Sequence, residues 1–66
     1  MERFKIVDDK CGKVLLETDN GKIAWQFAHE KIKADGNQDI FIEVYTENGF
    51  SHWVDSERIV DETEDK

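Results

Sequence analysis

Apolar and polar positions alternate from Arg3 to Asp8, which is the two-residue period of a strand. Residues 13–18 read as its partner. The loop Asp9-Lys10-Cys11-Gly12 joins them, and Gly12 supplies the positive φ that such hairpin loops need. Asp19-Asn20-Gly21 then breaks the alternation, and Asp19 or Asn20 is placed to cap a helix. Over residues 22–34 the period becomes helical. Ile23, Ala24, Trp25, Phe27, Ala28 and Ile32 share one broad arc, and Lys22, Gln26, His29, Glu30 and Lys33 fill the other. The alanines sit at the centre of the apolar arc, as suits a helix lying close against a sheet. Lys31 intrudes on that arc and has to carry its ammonium out to water. Gly36 suits the left-handed residue after the helix.

The clearest strand is residues 38–46, with Ile40, Ile42 and Val44 on one face and Phe41, Glu43 and Tyr45 on the other. Asn48-Gly49 is a strong hairpin signal, and residues 51–55 return as a fourth strand. Residues 56–60 add a short extension, and residues 61–66 read as an acidic, disordered tail. The expected fold is therefore α+β, of ββαββ order. It is a single domain over residues 1–60, a four-stranded antiparallel sheet with one helix packed on one face.

A turn centred on Asn48-Gly49 pairs Tyr45 with His52, Val44 with Trp53 and Glu43 with Val54. That register places Trp53 with Ile40, Ile42 and Val44 under the helix. It leaves Phe41, Glu43, Tyr45, His52 and Val54 on the opposite face. In the first hairpin Phe4, Ile6, Val14 and Leu16 form the expected inner set, with Leu15 outside. One helix covers one face of a sheet, so several rings are expected on an open face, and an apolar patch rimmed by charge is a recurring partner site.

Charge sharpens this picture. The 66 residues hold nine Lys and Arg against sixteen Asp and Glu, a net charge of -7. Residues 1–36 balance to zero, so the whole excess falls in residues 37–66. That acidity disfavours direct nucleic-acid binding, which depends on cations displacing counterions from phosphate, and disfavours anionic membranes likewise. No apolar run exceeds three residues, and Cys11 is the single cysteine. Together they lead to an expected cytoplasmic location.

Catalytic and metal chemistry find little footing. His29-Glu30 begins like the helical zinc-protease motif, but Lys33 occupies the second histidine position. Cys11, His29 and His52 lie on three separate elements, so no metal site is expected. There is no glycine-rich phosphate loop and no cofactor signature. A sheet this small leaves little volume for a pocket of about 300 Å³ or more.

The expectation is therefore a non-catalytic, small acidic protein-binding module, an adaptor, regulator or inhibitor. Its size and charge also suit the small proteins that mobile genetic elements encode. Phe41, Tyr45, His52 and Val54 are the expected contacts, and Glu43, Glu47, Asp55 and Glu57 supply charge toward a basic protein surface. Two other readings stand beside it. In one, a nucleic-acid mimic presents Asp39, Glu43 and Glu47 as a row of carboxylates in place of phosphates. In the other, a homodimeric structural subunit has no further ligand.

Overall fold

The computed structural model describes residues 2–36 and 38–64. Met1, Asn37, Asp65 and Lys66, and with them the end of the expected tail, lie outside the described residues. Six elements follow in chain order: β1 (Arg3–Asp8), β2 (Lys13–Thr18), α1 (Gly21–Asp35), β3 (Ile40–Thr46), β4 (Gly49–Val54) and α2 (Ser56–Glu64). The four strands form one antiparallel sheet in the order β2-β1-β3-β4. The α+β class and the ββαββ order are as the sequence predicts.

Residues on β1 and β3 that point toward the helices meet directly across the sheet centre. Phe4 pairs with Val44 and Ile6 with Ile42, and all four are buried. Helix α1 starts at Asn20, whose Oδ1 accepts from the Ile23 N–H at 3.2 Å, and stops at Gly36, which takes φ 59°. Ala24 and Ala28 are fully buried and Ile32 nearly so, so the small residues do form the close contact. Trp25 and Phe27 flank it half-buried, while Ile23 is largely exposed. Lys31 reaches out of the apolar arc to pair with Asp35 at 3.7 Å.

A second helix corrects the one-helix expectation. The Asp55 carboxylate accepts from the Arg58 N–H at 2.9 Å, which starts α2, and the helix continues through Asp61 as far as Glu64. Ile59, fully buried, joins the same core as Ile6, Ile40 and Ile42. Both helices therefore lie on one side of the sheet. Three side chains lock α2 to its neighbours: the Trp25 indole N–H donates to Glu62 at 2.7 Å, Thr63 Oγ1 lies 2.8 Å from His29 Nδ1, and Ser56 Oγ donates to the Gln38 carbonyl at 3.0 Å. His29, expected on the outer arc of its helix, is thus half-buried against α2.

Both edge strands carry one extra residue, and each bulge revises the expected faces. In β2, Val7 pairs with Val14 and Ile6 with Leu16, so Leu15 is extra. Leu15 and Leu16 both pack on the core, and Val14 is left outside at 52% exposure. In β4, Tyr45 pairs with Phe50 and Val44 with His52, so Ser51 is extra. The turn itself is Glu47-Asn48, with Gly49 at φ 105° opposite Thr46. In consequence Trp53 lies opposite Glu43 and Val54 opposite Ile42, the reverse of the expected faces. The packing explains the choice. Val54, Ile42 and Ile59 all belong to the one buried core, whose close packing suits a compact valine better than a bulky indole.

If α2 is part of the core, Ile59→Val destabilises the protein by about 0.5–1.5 kcal/mol and Ile59→Ala by about 2–5 kcal/mol. Urea unfolding measures both. Midpoints equal to that of the parent chain would show that α2 is only an appendage.

Candidate functional site

The open face of the sheet is where the chemistry collects. With α1 and α2 both on the other side, the outward residues of β3 and β4 meet water. Phe41 and Tyr45 are half-buried there, as expected. Phe50 and Trp53 join them at 50% and 64% exposure; alternation from His52 already puts Phe50 on this face in the expected register, so of these two only Trp53 is a reversal. Tyr45 meets Phe50 edge-on with ring centroids 5.7 Å apart, and Phe50 meets Trp53 at 5.6 Å. Three rings therefore form one continuous run diagonally across the second hairpin, at separations where the positive edge of one ring attracts the negative face of the next.

Three of the sequence-derived site residues lie off this face. Val54 is 2% exposed, sealed opposite Ile42. His52 is exposed but lies opposite Val44, on the helix side of the edge strand, with Nδ1 3.0 Å from Ser51 Oγ. Glu57 sits in the first turn of α2. The Ser51 bulge accounts for the first two: one unpaired residue turns every later side chain of β4 to the other face. Asp55 stands at the corner between β4 and α2, spending one oxygen on the helix cap. Glu47 is exposed in the β3–β4 turn.

Glu43 sits at the centre of the face. It is half-buried between Lys5 on β1 and Trp53 on β4, and its Oε1 accepts the Tyr45 hydroxyl at 2.8 Å. Lys5 Nζ stands 4.9 Å from the centre of the Tyr45 ring, a cation–π contact within the chain. On β1 and β2, Arg3 Nε lies 3.3 Å from Glu17 Oε2. The β1–β2 side of the face thus pairs its own charges.

The β3–β4 side is different. Where β4 hands over to α2, the surface dips into a cleft of about 470 Å³, with Phe41 and Trp53 as walls and Asp9, Asp39, Glu43 and Asp55 around it. No pocket of that size was expected from the sequence. The lining of the cleft joins the end of β4 and the start of α2 to the segment that enters β3. Two hydrogen bonds to main-chain carbonyls hold its rim: the Asp9 N–H donates to the Asp39 carbonyl at 3.1 Å, and the Ser56 side-chain Oγ donates to the Gln38 carbonyl.

Among the described residues no group of three or more His, Cys, Asp and Glu side chains could hold a metal ion, and no helix is long and apolar enough to cross a membrane. Comparison with protein-family models, with curated proteins and with solved structures found no match.

The hydrogen bond to Glu43 raises the Tyr45 pKa above its ordinary value of 10.0, because a carboxylate that accepts the phenol proton also resists its loss; desolvation and the charges of Glu43 and Glu17 act in the same direction. Tyr45 is the single tyrosine, so tyrosinate absorbance reads it alone. Glu43→Gln keeps an acceptor but removes the charge, and the titration should move down toward the ordinary value. An unchanged titration would break the Tyr45–Glu43 link.

Proposed function

We propose that this chain is a non-catalytic protein-binding module, an adaptor, regulator or inhibitor of the mobile-element kind, that docks through the open face of its sheet onto a basic surface. One observation carries the reading: Tyr45, Phe50 and Trp53 form a continuous run of rings, the last two at least half exposed, on the sheet face opposite both helices. Large aromatic side chains anchor protein interfaces because they bury much area at little cost in rotamer entropy. Apolar patches rimmed by charge recur at such sites. Phe41, Tyr45, Phe50 and Trp53 are the contacts in this reading, and Glu43 and Asp55 supply charge that steers a basic partner. A cytoplasmic location belongs to the same proposal and is supported by the single exposed thiol, Cys11.

Spacing favours docking over imitation of a phosphate backbone. Asp39, Glu43 and Glu47 lie four residues apart, about 13–14 Å along an extended chain, roughly twice the step of a nucleic-acid strand. Phe41 and Tyr45 stand between them. A row of carboxylates broken by rings suits an apolar contact with an acidic rim better than it suits a polyanion.

The test compares three tagged proteins in capture from cells of the source: the parent chain, a Phe50→Ala/Trp53→Ala variant, and a Lys22→Ala/Glu30→Ala control on the exposed side of α1. The expected outcome is a partner held by parent and control, lost about tenfold or more in the ring variant, and still held at about 0.5 M salt, where surface charge is screened. Equal retention by all three would end the reading. So would sedimentation of the parent at twice its chain mass with the ring variant at single mass, because a second copy would then be what covers the face.

A further inference from the structure

We propose that the cleft at the β4–α2 corner receives an arginine side chain of the partner protein. The proposal rests on the docking reading above and gives it a chemical address. Phe41 and Trp53 line the cleft, with Asp9, Asp39, Glu43 and Asp55 around them, and among the described residues no lysine, arginine or histidine does. Elsewhere on the same sheet face the chain supplies its own cations, Lys5 over Tyr45 and Arg3 beside Glu17. Around Phe41 and Trp53 the cleft repeats that combination of ring and carboxylate, with Glu43 and Asp55 as its acids.

A guanidinium answers this arrangement better than an ammonium. It is planar, so it stacks on an indole or phenyl face, and its five N–H donors fan out in the plane toward carboxylates on several sides. It is also more weakly hydrated, so less is lost when it leaves water. The hydrogen bonds that Glu43 and Asp55 already accept, from the Tyr45 hydroxyl and the Arg58 N–H, orient those carboxylates without neutralising them. A phosphate or a carboxylate ligand would meet four like charges. The acids steer and the rings hold, which ties the site to a basic protein surface.

The experiment is an NMR titration of the full ¹⁵N-labelled chain with three capped pentapeptides, each with four glycines around a central arginine, lysine or citrulline. Citrulline has the shape of arginine without its charge. The chain has two tryptophans, so the indole N–H of Trp25, bonded to Glu62 between the helices, is an internal control for that of Trp53. The arginine peptide should move the Trp53 indole and the Phe41 and Glu43 amides, saturating on the order of 1 mM, and should leave Trp25 in place. The lysine and citrulline peptides should bind at least about threefold more weakly. Trp53→Ala and, separately, Glu43→Gln should each weaken the arginine peptide about two- to fivefold, read at the Phe41 amide. Citrulline or lysine binding as tightly as arginine, or no movement at the cleft, would overturn the proposal. If the peptides fail while the ring variant still loses its captured partner, the cleft assignment falls and the docking reading stands. If the arginine peptide binds as described while capture is indifferent to the rings, the reverse holds.

Discussion

A sheet has two faces, and this chain places both of its helices on the same one. Ala24 and Ala28 let α1 lie close over the central strands, and Ile59 brings α2 into the same core beside Ile40 and Ile42. Every aliphatic side chain of β3 is consumed there. The strand's other face has no helix over it, and it holds Phe41, Glu43 and Tyr45, two rings and a carboxylate. The side on which the helices pack therefore decides which residues are available for recognition.

The bulge at Ser51 then decides what the last strand contributes. The site opposite Ile42 lies in the close-packed core that also holds Ile59, which favours a compact side chain. Val54 fills it, and the extra residue brings Val54 into position while turning Trp53 outward. Edge strands tolerate such an insertion because only one side of their ladder has to be kept. The Leu15 bulge does the equivalent on the opposite edge, turning two successive leucines toward the core and Val14 away. Both corrections to the expected faces thus arise at bulges in the edge strands, with the two central strands unaffected.

This explains which parts of the fold were legible. The hairpins, α1 with its Asn20 and Gly36 caps, and the two faces of β3 all follow from local periodicity, and in each case local preference and tertiary packing agree. The register of β4 does not. The Asn48-Gly49 signal marks the turn correctly to within a residue, but a bulge leaves no mark of its own in the sequence, and one residue is enough to exchange Trp53 with Val54. Helix α2 was hidden differently. Asp55 as a cap, with Ser56, Ile59, Val60 and Thr63 at helical spacing, spells a short amphipathic helix. Its many acids resemble a solvated tail instead. A helix of nine residues is marginal alone, so its stability comes from the contacts of Trp25, His29 and Gln38, which no local window contains.

The uneven charge of the sequence acquires a spatial meaning in the fold. Residues 1–36 balance to zero and build β1, β2 and α1, where Arg3 meets Glu17 and Lys31 meets Asp35. Residues 37–66 carry the whole net charge of -7 and build β3, β4 and α2. Because β3 and β4 lie side by side at one edge of the sheet, Asp39, Glu43 and Asp55 gather at the cleft beside Phe41 and Trp53, while Glu57, Asp61 and Glu62 lie on α2, on the helix side. A charge placed only for solubility could be spread over any surface. Here carboxylates and rings are interleaved on two strands, so a partner approaching along the field meets the apolar contacts with no further search. Steering and anchoring become properties of one hairpin, and Glu43, which bonds Tyr45 and lies opposite both Lys5 and Trp53, is the residue through which they are joined.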